Sequence, residues 1–255
     1  MERCPVAASS SVAPLVTGPP RRVAAVATTP TAAYFTTGDP ARPLLCVVTA
    51  DAVRLPCALV LGPGRPLPTA AGSGIVGGGA LRAGGLSVRV GRWWRPPRPR
   101  GLGRMPAVTG VLTRRVPDPL DSAGRAALTH LVRALAAGEP LAGPVGRLVG
   151  RGPGLTPLGD DVLAGALVTL VGMDSPAAGR LAAAVDAAAR GRTTAVSAAL
   201  LTHAARGECV PQLADLLHAA RDGDRLDAAV ESLLRVGHTS GAGLAHGVLA
   251  AVAAA

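Results

Sequence analysis

The residues best suited to chemistry in this sequence gather in three short segments. The first is Gly150-Arg151-Gly152-Pro153-Gly154-Leu155-Thr156-Pro157-Leu158-Gly159-Asp160-Asp161, followed by an apolar run. Glycines at 150, 152 and 154 lack a Cβ, so nearby backbone N–H groups can turn toward one ligand. A turn of this kind leading into a helix suits an anion, because the first-turn amides are unsatisfied and the helix dipole is positive there. Arg151, Gly152, Gly154 and Thr156 are therefore candidate anion-binding residues. Asp160 and Asp161 are candidates for acid–base work or for holding a hydrated Mg²⁺ beside a phosphate. The structural alternative is an irregular turn capped by Asp160, with Asp161 placed favourably in the first helical turn.

The second segment is Gly191-Arg192-Thr193-Thr194-Ala195-Val196-Ser197. Here Arg192, Thr193, Thr194 and Ser197 could meet an anion at a helix start, with Ser197 and Thr194 on one face; a Thr cap beside a solvated Arg is the simpler reading. The third is Gly237-His238-Thr239-Ser240-Gly241, which offers His238 as a general acid–base and Thr239 and Ser240 as donors. A capping or packing role is the plainer one for His238, and His203 and His246 read as structural. All three segments are expected to converge on one cleft.

These segments need a scaffold. The texture from Arg22 to Val90 is β: the runs Val23–Ala27, Ala33–Thr37, Leu44–Thr49, Ala58–Leu61, Gly74–Val76 and Leu86–Val90 are separated by Pro and Gly clusters. From Asp121 onward the pattern is helical, with short helices rich in small residues and joined by tight turns. The fold class is thus α+β, a small antiparallel sheet or barrel followed by a compact helical half. The expected organisation is a frayed segment over 1–20, a β-rich domain over 21–115 and a helical domain over 116–255. The stretch 92–100, RWWRPPRPR, reads as a last strand running into a Pro-rich bend, in preference to a base-stacking arm.

Composition narrows the chemistry. The 255 residues carry a net charge of +10, yet the sequence contains no Lys and no Asn, so the Arg excess reads as codon bias and a nucleic-acid partner is disfavoured. Without Lys there is no Schiff-base lysine and no Walker A loop. The four cysteines show no CxxC spacing and read as small buried hydrophobes. The apolar stretches are too short to span a bilayer as helices and no signal-peptide core is present, so a cytoplasmic protein without a membrane partner is expected.

Together the three segments resemble the AllH-type family, the oxamate carbamoyltransferase subunit family. Its pattern is similar to a glycine turn GxGPGLTPSGDD, then a Thr-Ser helix start, then GHxSGxD before the terminal helix. The matching residues are Gly152–Pro157 with Gly159-Asp160-Asp161, Thr193-Thr194 with Ser197, and Gly237-His238 with Ser240-Gly241, in the same order over roughly residues 145–255. Leu158 stands where the pattern has Ser, and Gly243 where it has Asp. The resemblance implies partner subunits, a small anionic substrate, and carbamoyl transfer between oxalurate plus phosphate and oxamate plus carbamoyl phosphate, in allantoin and purine-derived nitrogen catabolism. The alternatives are a non-catalytic metabolite-binding assembly subunit and an independent metal-dependent phosphoryl-handling enzyme.

Overall fold

The computed structural model describes residues 4–68 and 72–255. The chain divides into two compact units, Met1–Pro96 and Pro97–Ala255. The first is a closed eight-stranded barrel made of β1 (Cys4–Ser9), β2 (Arg21–Thr28), β3 (Ala32–Thr36), β4 (Leu44–Val48), β5 (Ala58–Leu61), β6 (Gly74–Gly77), β7 (Ala80–Ala83) and β8 (Leu86–Trp94). Around the barrel the strands run β1-β5-β4-β3-β2-β6-β7-β8. Closure leaves no strand edge free to pair with another chain. The pairing is not purely antiparallel: β1 runs parallel to β8, and β4 parallel to β5. Two strands are missing from the sequence reading, β7 and β1, and β1 lies in the segment expected to fray. Its Pro5 and its Ala- and Ser-rich texture hide it, yet Val6 and Ala8 are buried and a short helix, α1 (Ala13–Thr17), follows soon after it.

The barrel interior is lined by Val6, Val23, Phe35, Val76, Leu81 and Val88, among others, all nearly inaccessible. Phe35 is the one phenylalanine, so most of this core comes from Val, Leu and Ala. The strand β8 ends in the two tryptophans, Trp93 exposed and Trp94 half-buried, and the Pro-rich bend follows.

The second unit is helical: α2 (Pro106–Arg115), α3 (Ser122–Ala137), α4 (Ala142–Leu148), α5 (Leu158–Gly172), α6 (Ala177–Ala189), α7 (Ala195–Ala204), α8 (Pro211–Asp222), α9 (Leu226–Leu234) and α10 (Ser240–Ala253). Helix α5 is apolar on every side after its first turn and is accordingly the central helix, with 13 of its 15 residues buried. Its main neighbour is α10, and glycines let the two backbones touch. A Cβ at Gly165 would lie 2.1 Å from the Leu244 carbonyl oxygen, and one at Gly247 would lie 2.1 Å from that of Val162.

The segment before α2 is fastened by a buried cluster. Glu208, nearly inaccessible, accepts from Arg98 and from the His203 ring, and the Cys209 amide donates to the Pro97 carbonyl at 3.1 Å. The pairing with Glu208 gives His203 the structural role expected of it. His246 is placed the same way, its Nε2 lying 3.0 Å from the Pro117 carbonyl oxygen. Cys46, Cys57 and Cys209 are buried, with the Cys46 and Cys57 sulfurs 3.7 Å apart, and Cys4 is half-buried. No helix of the described residues is long and apolar enough to cross a membrane.

Candidate functional site

The turn that leads into α5 is shaped by its glycines. Gly150, Gly152 and Gly154 all have positive φ, at 71°, 113° and 94°. At Gly150 a side chain is excluded twice over, by the backbone angle and because a Cβ would sit 2.1 Å from the Arg192 carbonyl oxygen. The turn then folds back on α5: Arg151 N donates to the Leu148 carbonyl and Gly159 N to the Arg151 carbonyl, each at 2.9 Å. Its apex, Gly152 to Gly154, is exposed. The N–H groups of Gly152, Gly154, Leu155 and Thr156 have no acceptor among the described residues. Four backbone donors thus stand at the start of a 15-residue helix, where the partial charge is positive.

Two further helix starts close on the same place. Thr194 caps α7 by accepting from Ser197 N at 3.0 Å, and its own hydroxyl donates to the Leu155 carbonyl of the turn. At the start of α10, Ser240 Oγ lies 3.0 Å from Thr156 Oγ1. The starts of α5, α7 and α10 therefore meet, as the spacing of the three segments suggested. They interlock through hydrogen bonds beside an exposed apex.

Two adjacent carboxyls sit inside this junction in different states of satisfaction. Asp160, 1% exposed, has both oxygens occupied. Its Oδ1 accepts from Gly150 N at 2.9 Å, and its Oδ2 accepts from the Thr193 hydroxyl and from Ser197 Oγ at 2.7 Å. Asp160 does not cap its own helix, whose N-cap is Pro157. It ties the turn to the α7 start instead. Asp161 is 7% exposed, and its Oδ2 is buried without a partner among the described residues. Burial foremost, and the neighbouring Asp160 charge, push its carboxyl up to about 7 against the pull of the Ser240 hydrogen bond.

The structure does not bring every candidate here. The Arg151 guanidinium turns away to Asp121, the N-cap of α3, with Nε 2.9 Å from its Oδ1. That pairing, together with the Gly124 amide, holds Asp121 below the usual carboxylate range. Arg192 donates to the Gly146 carbonyl. His238 is exposed and takes no part in the network, and Thr239 contributes only its carbonyl, which accepts from Gly243 N at 2.9 Å. Sequence reasoning missed Gly150 N as a ligand of Asp160 and Asp121 as the partner of Arg151. The helical pattern was read from Asp121 onward, but nothing local announced its pairing with Arg151. The two departures from the family pattern prove to be neighbours: a Cβ on Gly243 would lie 2.7 Å from Asp161 Cβ and 3.0 Å from Leu158 Cδ1. Leu158 fills the space that a larger residue at 243 would need. Among the described residues, no group of three or more His, Cys, Asp or Glu side chains is placed to hold a metal ion.

By fold this is a barrel unit followed by a helical unit whose central helix begins at a glycine turn braced by two other helix starts. Residues 148–252, the part that holds this junction, match the family model described as oxamate carbamoyltransferase subunit AllH. The resemblance carried by the three motifs is therefore borne out over the helical part of the chain. No solved structure matches the chain.

Proposed function

We propose that this chain is an AllH-like subunit of a carbamoyltransferase-type complex that holds a small anion of the oxamate, oxalurate or carbamoyl phosphate kind at the glycine turn. The observation that carries this reading is the set of four unused N–H groups, Gly152, Gly154, Leu155 and Thr156, at the start of α5 inside the matched segment. An anion there would take charge-assisted hydrogen bonds from backbone donors that the turn already holds without an acceptor of their own. Thr156 adds a hydroxyl. Asp160, with three donors on its two oxygens, serves to lock the turn to α7, and Thr193, Thr194, Ser197 and Ser240 hold that frame. Arg151 and Arg192 act as braces on α3 and α4, and His238 and Thr239 lie at the margin, where a partner subunit or substrate could meet them. This reading places the chain in the cytoplasm, in purine-derived nitrogen catabolism.

A binding subunit that needs partners is favoured over a self-sufficient enzyme by one feature. The best-placed acidic residue, Asp160, is 1% exposed and has both oxygens engaged by Gly150, Thr193 and Ser197, which leaves it badly placed to act on a substrate. The test is phosphate-dependent breakdown of oxalurate by the chain alone, by the candidate partner subunits alone and by the mixture. The mixture should turn over substrate, with little from either part. Full turnover by the chain alone would contradict the partner requirement, and equal turnover by the partners with and without the chain would show it to be dispensable.

A further inference from the structure

The outer face of the barrel carries a row of side chains set by strand register. Arg22 on β2 stands beside Ile75 on β6, Ile75 beside Arg82 on β7, and Arg82 beside Ser87 on β8. All four face away from the core, because side chains alternate along a strand and their chain neighbours Val23, Val76, Leu81 and Val88 are buried. Ile75 is 53% exposed and is the single isoleucine of the chain. Arg22 and Arg82 are exposed and make no ion pair or hydrogen bond among the described residues. We propose that this row is a docking surface for an acidic amphipathic helix of a partner protein, with one carboxylate on each arginine and apolar side chains over Ile75. The surface lies in the barrel unit and stands independently of the anion-site reading.

Charge and spacing select this occupant. Residues 1–96 hold 10 Arg against three acidic residues, and so carry most of the chain's net charge of +10. Codon bias accounts for Arg in place of Lys, but that exchange preserves charge and cannot concentrate it in one unit. Of the described acidic residues here, Asp39 is paired with Arg21 at 3.4 Å and Asp51 sits in the turn after β4. A second copy of the chain would bring its own positive excess to this face, whereas an acidic partner is drawn to it. Adjacent strands lie about 4.8 Å apart, so the two arginines stand about 10 Å apart across the row. On a helix, acidic residues at i and i+7 are about 10.5 Å apart on one face, with i+3 and i+4 between them. An extended segment sets same-face residues about 6.7 or 13.4 Å apart and misses that spacing on both sides. Hollows of about 530 and 440 Å³ border the row, the first bounded by Arg22, Thr36 and Ile75 and the second by Arg82 and Ser87. No aromatic ring stands in the row to stack on a nucleic-acid base.

As the single isoleucine, Ile75 can be labelled selectively at its δ1 methyl, which gives the full chain one reporter at the centre of the row. The probe is an alanine-based helical peptide with Glu at i and i+7 and Leu at i+3 and i+4, titrated at low salt. The Ile75 methyl should shift saturably. Affinity should fall about two- to fivefold in Arg22→Gln and again in Arg82→Gln, and by a similar factor for each Glu of the peptide changed to Gln. Arg133→Gln, which removes the same charge from an exposed position of α3, should leave it unchanged. A peptide with its second Glu moved to i+9, on the opposite helix face, should bind several-fold more weakly. No saturable shift would overturn the proposal. Equal loss in Arg133→Gln, or equal binding of the i+9 peptide, would do so too, since attraction would then be a general field and not this row. Stronger shifts of the Ile75 methyl with duplex DNA or with vesicles of anionic lipid than with the peptide would reassign the surface to nucleic acid or to membrane.

Discussion

Asp160 and Asp161 are adjacent and both buried, yet their surroundings give them opposite consequences. Asp160 accepts from an amide and two hydroxyls, so its charge is met where it sits. Removing it strands three donors, one of them the Gly150 amide that fixes the turn. Asp160→Ala should therefore destabilise the helical unit by about 2–4 kcal/mol, measured by chemical denaturation. Asp161 works the other way. Its folded-state carboxyl is raised from 3.8 to about 7, so between those values the native state binds a proton that the unfolded chain has released. The stability tied to this group is complete below pH 4 and is lost as pH climbs to 7, by an amount on the order of a few kcal/mol. Asp161→Asn should remove that slope, so that the variant gains on wild type steadily between pH 4 and 7. A constant difference across that range would mean that the carboxyl is not raised in the folded chain.

At the scale of elements, the central feature is the close approach of α5 and α10. Where Gly165 and Gly247 touch the partner helix, the obstacle is a backbone carbonyl, which no rotamer change can move. Gly247→Ala should force the helices apart and cost about 2–4 kcal/mol, well beyond the small gain in helix propensity that alanine brings at an exposed site. Thermal denaturation of this variant beside Gly179→Ala, whose added methyl would meet nothing within 4 Å, gives the comparison. This pairing was not legible in the sequence, because a glycine inside an apolar helix looks the same whether it faces solvent or another backbone. Other features were legible for identifiable reasons. The start of α7 was carried by Thr194 as a cap, and the stop of α3 by Gly138 in the left-handed conformation. The strands β3, β4 and β5 were carried by runs of Val, Leu and aromatic residues. Strand β7 was not, since four residues between glycine pairs carry too little pattern, and neither was α4, where Gly143, Pro144 and Gly146 mask a seven-residue helix. At the candidate site, the motifs marked which residues would gather. They could not tell which side chains were free, because the partners of Arg151, Arg192 and Asp160 all come from distant segments.

At the scale of the molecule, charge is unevenly shared. Residues 1–96 hold 10 Arg against three acidic residues, whereas residues 97–255 hold 16 Arg against 13. The helical unit is close to balanced, so an anion reaching the glycine turn is met by local donors more than by a general positive field, which salt would screen. The basic barrel supplies the alternative destination for any small anion, and this makes location the decisive observable. The most direct measurement is a residue-resolved amide map of the full chain titrated with oxamate at pH 6. The account predicts saturable shifts centred on Gly152, Gly154, Leu155 and Thr156, with weaker ones at Ser197 and Ser240, and their loss in Gly152→Ala, where φ is 113° and a Cβ would lie 2.9 Å from Leu158 N. Shifts confined to the arginines of residues 1–96, or no saturable shift at the turn, would contradict it.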